Sequence, residues 1–168
     1  MEIERKYLID ATKLPFSPED YPVHHIEQGY LCTEPVVRIR KDNEDYFLTY
    51  KSKGLMSREE YNLPLTKDAY NHLKSKVDGR IISKKRYVIP LSRFITRGTY
   101  SDLKIELDIF SEDLQGLVLA EVEFHDEESA LSFIPPVWFG EDVTFSSEYH
   151  NSNLSPVSYT HLTLPTIA

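Results

Sequence analysis

Cysteine occurs once in the 168 residues, at Cys32, so no internal disulfide and no cysteine-built metal cluster is available. The six glycines are scattered. None belongs to a phosphate-cradling loop, and Gly29, Gly54 and Gly79 read as bulges or turns. The six histidines never form an HExxH pair, so zinc is not indicated. No apolar run approaches the roughly 18 residues that a membrane span needs. Charge begins at Glu2 with no apolar stretch behind it, so no secretory signal is expected and a soluble cytoplasmic protein is. The most informative absence concerns one sign of charge. All 19 lysines and arginines lie at or before Lys104, and the remainder of the chain carries 12 acids and no base. The net charge of −8 argues against a nucleic-acid partner.

What is present suits one domain with a real core: 40% apolar residues and 12% aromatic ones, including eleven tyrosines, which favour strands. Eight strands are expected, at 2–9, 25–32, 35–41, 45–53, 58–64, 80–89, 103–110 and 117–124. LTKDAYNHLKSK reads as a helix capped by Thr66, with Ala69, Leu73 and Val77 on its apolar side and Gly79 as its stop. HDEESALSFIPP reads as a short acidic helix halted by Pro135 and Pro136. SRFITRGTYSD is a lid or a plain loop. The domain is expected to span 1–155. Residues 156–168 have no period and are left unassigned, as a disordered tail, a weak strand or a non-native extension.

Side chains alternate along a strand. One face of the first strand therefore carries Glu2, Glu4 and Lys6. The same alternation groups Arg38 with Arg40, Thr49 with Lys51 and Lys53, Arg58 with Glu60, and Lys84 with Arg86. It also groups Lys104 with Glu106 and Asp108, and Glu121 with Glu123. A half-buried sheet with one wet face accounts for any one of these strands. It accounts less well for all of them together, because the charged faces hold few Ser, Thr, Asn or Gln and the charges sort by strand. Eight strands can close into a barrel whose charged faces point inward. Such a lumen must hold water, ions or a highly charged ligand. Convergent carboxylates suit hard cations such as Mg²⁺ or Mn²⁺, and rows of Arg and Lys suit a polyphosphate. Metal-assisted attack by water is the economical chemistry.

MEIERKYLI, with Glu2, Glu4 and Lys6, resembles the ExExK signature of the CYTH superfamily, the triphosphate tunnel metalloenzymes. The likeness continues through IEQGYL, VVRIRK, LTYKSKG, REEYNLPL, KKRYVIP, IELDIF, LAEVEF and WFGEDVT, to about Ser155. The resemblance is to the small bacterial single-domain type. It implies an α+β fold: an eight-stranded antiparallel β-barrel forming a charged tunnel, with flanking helices. It implies that Glu2, Glu4, Glu60, Glu121 and Glu123 hold Mg²⁺ or Mn²⁺. It also implies that Lys6, Arg38, Arg40, Lys51, Lys84 and Arg86 bind triphosphate, with Glu4, Lys6, Glu106 and Asp108 in catalytic roles. The implied activity is hydrolysis of inorganic triphosphate to pyrophosphate and phosphate. Class IV-type adenylate cyclase, thiamine triphosphatase and a non-catalytic polyphosphate- or nucleotide-binding protein are the alternatives. The expected partner is inorganic triphosphate or another triphosphate-containing small molecule, with no membrane and no nucleic acid, and a homodimer is allowed. One departure is visible: the C-terminal DVTFSSEYHNSNLS has Glu148 beside Tyr149 where the family often carries a base.

Overall fold

The computed structural model of the chain describes residues 1–96 and 100–155. The 156–168 tail lies outside the described residues, as does the centre of the SRFITRGTYSD segment, read as a lid or a plain loop. Ten strands form among the described residues: β1 (Glu2–Ile9), β2 (Val23–Thr33), β3 (Val36–Asp42), β4 (Asp45–Lys51), β5 (Ser57–Arg58), β6 (Glu60–Pro64), β7 (Asp78–Pro90), β8 (Lys104–Phe110), β9 (Val118–Glu123) and β10 (Phe139–Asp142). They make one antiparallel sheet in the order β10-β1-β9-β8-β7-β2-β3-β4-β6, and β5 pairs back onto β1. Only Glu59 separates β5 from β6, so that pairing turns the far end of the sheet toward its beginning and nearly closes the wall. The eight expected strands are all present. The fifth is divided at Glu59, and β10 is additional: it is only four residues long, too short to show a period.

The helices are short. In α1 (Lys67–Lys74) the Thr66 hydroxyl accepts a hydrogen bond from the Ala69 amide, as expected of its cap. The helix stops before Val77, however, and Gly79 lies inside β7 with φ of 68° instead of ending the helix. Tyr70 is the side chain α1 buries, against Tyr46. The acidic helix α2 (Glu127–Leu131) starts at Asp126, whose carboxylate accepts from the Ser129 amide. A last turn, α3, covers Asn151–Leu154. No helix among the described residues is long and apolar enough to cross a membrane.

Two apolar layers hold the barrel. The outer one lies on the outward faces of β1, β7, β8 and β9, where Tyr7, Ile89, Ile105, Leu107 and Val122 are buried under Phe124, Phe133, Trp138 and Phe139. Each such aliphatic side chain contributes about 1.5–3 kcal/mol by leaving water. The second layer lies inside the barrel. Beyond the charged positions, the inward face changes to Tyr30, Ile82, Phe110 and Leu119, and Val143, Tyr149 and Leu154 from the C-terminal segment join them. The lumen is therefore charged along only part of its length, and an apolar plug fills the rest. Residues 143–154, inside the expected domain but given no strand or helix by the sequence pattern, pack into that plug.

Candidate active site

The remaining lumen is a cavity of about 150 Å³. Six acids line it, Glu2, Glu4, Glu60, Glu106, Glu121 and Glu123, and six bases, Lys6, Arg38, Arg40, Lys51, Arg58 and Arg86. Tyr30, Val36, Asn151 and Ser152 complete the lining. Eleven of the residues picked out from sequence thus meet in one place. Lys84 and Asp108 do not join them. Their side chains are fully buried, with Lys84 Nζ 2.7 Å from Asp108 Oδ2 and over the Phe110 ring of the plug. The same carboxylate accepts two hydrogen bonds from Arg86, at 2.7 and 2.8 Å. Asp108 therefore acts on the cavity through Arg86, which also pairs with Glu106 and Glu121. Lys84 also touches the lining at Asn151 Oδ1, at 3.5 Å.

Arg58, Tyr30, Val36, Asn151 and Ser152 are lining residues absent from the sequence-derived set. Arg58 had a signal, since it shares the alternating face of Glu60. Asn151 and Ser152 come from α3, which has no strand period to betray it.

Register explains how the charges are set. Lys6 faces Glu121, Lys51 faces Glu60, Glu2 faces Arg58, and Arg86 faces Asp108, so opposite charges meet across neighbouring strands. Two pairs break the pattern: Glu4 lies opposite Glu123, and Glu106 opposite Glu121. Like charges directly across a ladder are destabilising. A cation between them would relieve this.

The protonation states point the same way. Burial, then the Glu121 charge, pushes the Glu4 carboxyl up. Burial, then Glu106 and Glu4, does the same to Glu123. Glu2 is pushed up to about 8 by burial, by a hydrogen bond shared with Glu60 and by the Glu4 charge. Glu60 is held low: burial raises it, but the hydrogen bond from Glu2 and the Lys51 charge outweigh that. The two carboxyls therefore hold one proton between them near neutral pH. Hard oxygen donors that repel one another and retain a proton fit a divalent cation of the Mg²⁺ or Mn²⁺ kind. No three of the metal-binding side chain types are already gathered around a point among the described residues.

The cationic side has its own unmet need. Arg38 donates from Nη2 to Thr49 Oγ1 at 3.2 Å, while its Nε is buried with no hydrogen-bond partner among the described residues. Arg40 donates from Nε to Gln28 Oε1 at 2.9 Å. Burial beside Arg38 and Arg86 lowers Arg40 to about 10, which leaves it charged at neutral pH. Buried guanidinium groups with spare donors suit a phosphate chain. At the C-terminal end His150 is buried and donates from Nε2 to Thr144 O at 3.3 Å. Burial and the Lys6 charge push it down to about 4, so it is neutral at pH 7 and does not replace the base missing near Glu148.

The model of the CYTH domain matches residues 1–133. An inorganic triphosphatase of Nitrosomonas europaea is 38% identical over 158 residues, covering 92% of this chain and 96% of its own. An inorganic triphosphatase of Acetivibrio thermocellus is 33% identical over 160 residues, covering 91% and 92%. The crystal structure of an inorganic triphosphatase superposes with a TM-score of 0.65 at 33% identity, covering 95% of this chain and 96% of that one. A protein from Pyrococcus horikoshii superposes at 0.56 with 19% identity over 78% of this chain and 84% of its own, which speaks to the fold alone. With the tunnel, the paired charges and the matched length together, the chain belongs to the CYTH family.

Proposed function

We propose that this protein hydrolyses inorganic triphosphate to pyrophosphate and phosphate, with Mg²⁺ or Mn²⁺ as the metal. The observation that carries the reading is the lumen: six acids and six bases, with Tyr30 as the one ring in its lining among the described residues. Tyr30 is itself buried in the plug. Nucleobases usually take flat apolar contact, so the phosphates must supply the binding energy. The inorganic triphosphatases to which the chain is similar support the same substrate.

In this reading Lys6, Arg38, Arg40, Lys51, Arg58 and Arg86 hold the phosphate oxygens. Glu2, Glu4, Glu60, Glu121 and Glu123 are the residues that would hold the metal. Bound there, the metal would neutralise phosphate charge and activate water. Lys84 and Asp108 position Arg86. Glu106, paired with Arg86 at the lumen surface, orients the attacking water. The test is kcat/KM for triphosphate and ATP at matched free metal. A clear preference for triphosphate, abolished by chelation, is expected. Preference for ATP with accumulating cyclic AMP would replace the triphosphatase by a cyclase, and binding without turnover would leave a sensor.

The proton shared by Glu2 and Glu60 gives a second expectation. Metal must displace it, so uptake of Mg²⁺ at neutral pH should release a proton, and affinity should rise with pH until about 8, where Glu2 ionises unaided. Calorimetry in buffers of different ionisation enthalpy reads this directly. Heats independent of buffer, with a flat pH profile, would contradict it.

A further inference from the structure

We propose that Gln28 is a positioning residue: it holds the Arg40 guanidinium at Nε, so that Arg40 meets a phosphate with its two terminal nitrogens. The inference rests on the triphosphatase reading and adds to it a residue outside the cavity lining. Gln28 is fully buried on the inward face of β2, between Ile26 and Tyr30. Across one ladder it faces Ile82 of β7, and across the other Arg40 of β3. Arg40 in turn faces Phe47 on β4. Neither Ile82 nor Phe47 carries a side-chain acceptor. Gln28 and Arg40 are therefore each other's one polar neighbour directly across a ladder.

The Gln28 amide has a single workable orientation. A guanidinium only donates, so the amide oxygen takes the Arg40 Nε–H, at 2.9 Å. The amide nitrogen is left to donate to the Tyr30 hydroxyl, at 3.4 Å. With both ends engaged, turning this buried amide would leave polar groups unpaired. No other hydrogen bond holds Arg40 among the described residues. A guanidinium can grip an oxyanion in two-pronged fashion along its Nε side or with its two terminal nitrogens. Gln28 occupies the first edge, and the second remains for phosphate. Arg38, on the same face of β3, is held differently. Thr49, across β4, takes its Nη2 at 3.2 Å. The two arginines are thus anchored at different nitrogens, each by a residue across a different ladder. The Gln28 anchor is also neutral. Arg40 keeps its whole charge for an anion, even with Arg38 and Arg86 close enough to repel it.

Gln28→Met keeps the length of the side chain and removes the acceptor. In the wild type the Arg40 Nε–H should give a slowly exchanging NMR signal. In Gln28→Met that proton should exchange about tenfold faster, and KM for triphosphate should rise about tenfold with kcat near the wild-type value, the weight of one net hydrogen bond. Gln28→Glu keeps an acceptor at the same reach. It should preserve the slow signal yet still raise KM, because its charge competes with phosphate for Arg40. In an Arg40→Ala background, Gln28→Met should add no further cost.

An Nε–H signal unchanged by Gln28→Met would overturn the proposal. So would its loss in Gln28→Glu, or a KM cost that persists undiminished without Arg40, since Gln28 would then act by filling space. The NMR signal needs no substrate. A protein that shows the expected signals but does not turn over triphosphate would overturn the triphosphatase reading and leave the hold of Gln28 on Arg40 supported.

Discussion

Glu4→Gln should lower metal-dependent triphosphate hydrolysis by more than the ~10–100-fold that altering an outer partner of a metal site costs. Glu4 lies on the charged face of β1, opposite Glu123 and 4.0 Å from Lys6. Glutamine keeps the shape and removes the charge that a hard cation requires. The barrel should stay folded without metal, because the substitution also removes a carboxyl that burial and Glu121 already push up. The sharper readout is thermal. Metal at ~100 times its Kd should stabilise the wild type by about 2.7 kcal/mol. That corresponds to roughly 5–11 °C for a chain of this size. The variant should lose most of that increment while keeping its metal-free melting temperature. Wild-type turnover at low metal, or an undiminished metal-induced shift, would remove Glu4 from the metal site.

The sequence made the lumen legible because alternation is a strong signal when charge is its content. Glu2, Glu4, Lys6, Arg38, Arg40, Glu121 and Glu123 lie where period two puts them, since a shift of one residue would reverse every face. Its reach ended where inward positions stop being charged. Ile82, Phe110 and Leu119 continue the same faces, but an apolar residue on a strand reads as outer core whichever way it points. The plug was hidden for that reason. Lys84 and Asp108 show a related limit. Period two assigns the face of a strand but not the depth of a side chain, and in this barrel the pair is fully buried between Arg86 and the plug. Asn151 and Ser152 approach from a four-residue turn whose position is set by burial of Tyr149 and Leu154, a tertiary contact with no local pattern.

Asp108→Asn tests whether that depth matters, and its expected effect is on stability first. One carboxylate serves two buried cations. Burial pushes Asp108 up, but Arg86 and then Lys84 more than reverse this and keep it ionised. Lys84 is the cation that yields: burial, opposed by Asp108 and reinforced by Arg86 and Arg40, lowers it to about 7. Taking the charge from one partner of a buried pair typically costs ~3–5 kcal/mol. At about 2–4 °C per kcal/mol, the melting temperature should fall by roughly 6–20 °C. The sign of the pH dependence follows from Lys84. Below pH 7 the wild type retains the Lys84 proton and gains its attraction to Asp108, whereas the variant has lost the carboxylate that holds that proton. Above pH 7 Lys84 is neutral in both proteins, and only the loss at Arg86 remains. The deficit should therefore be larger at pH 6 than at pH 9. Triphosphate binding should weaken as well, since Arg86 loses the two hydrogen bonds that fix its guanidinium, and Arg86→Lys should show the weakened binding without the full loss of stability. Equal deficits at both pH values would remove Lys84 from the network. An unshifted melting temperature with abolished turnover would instead put Asp108 among the groups that meet the substrate, as its place beside Glu106 on one strand face first implied.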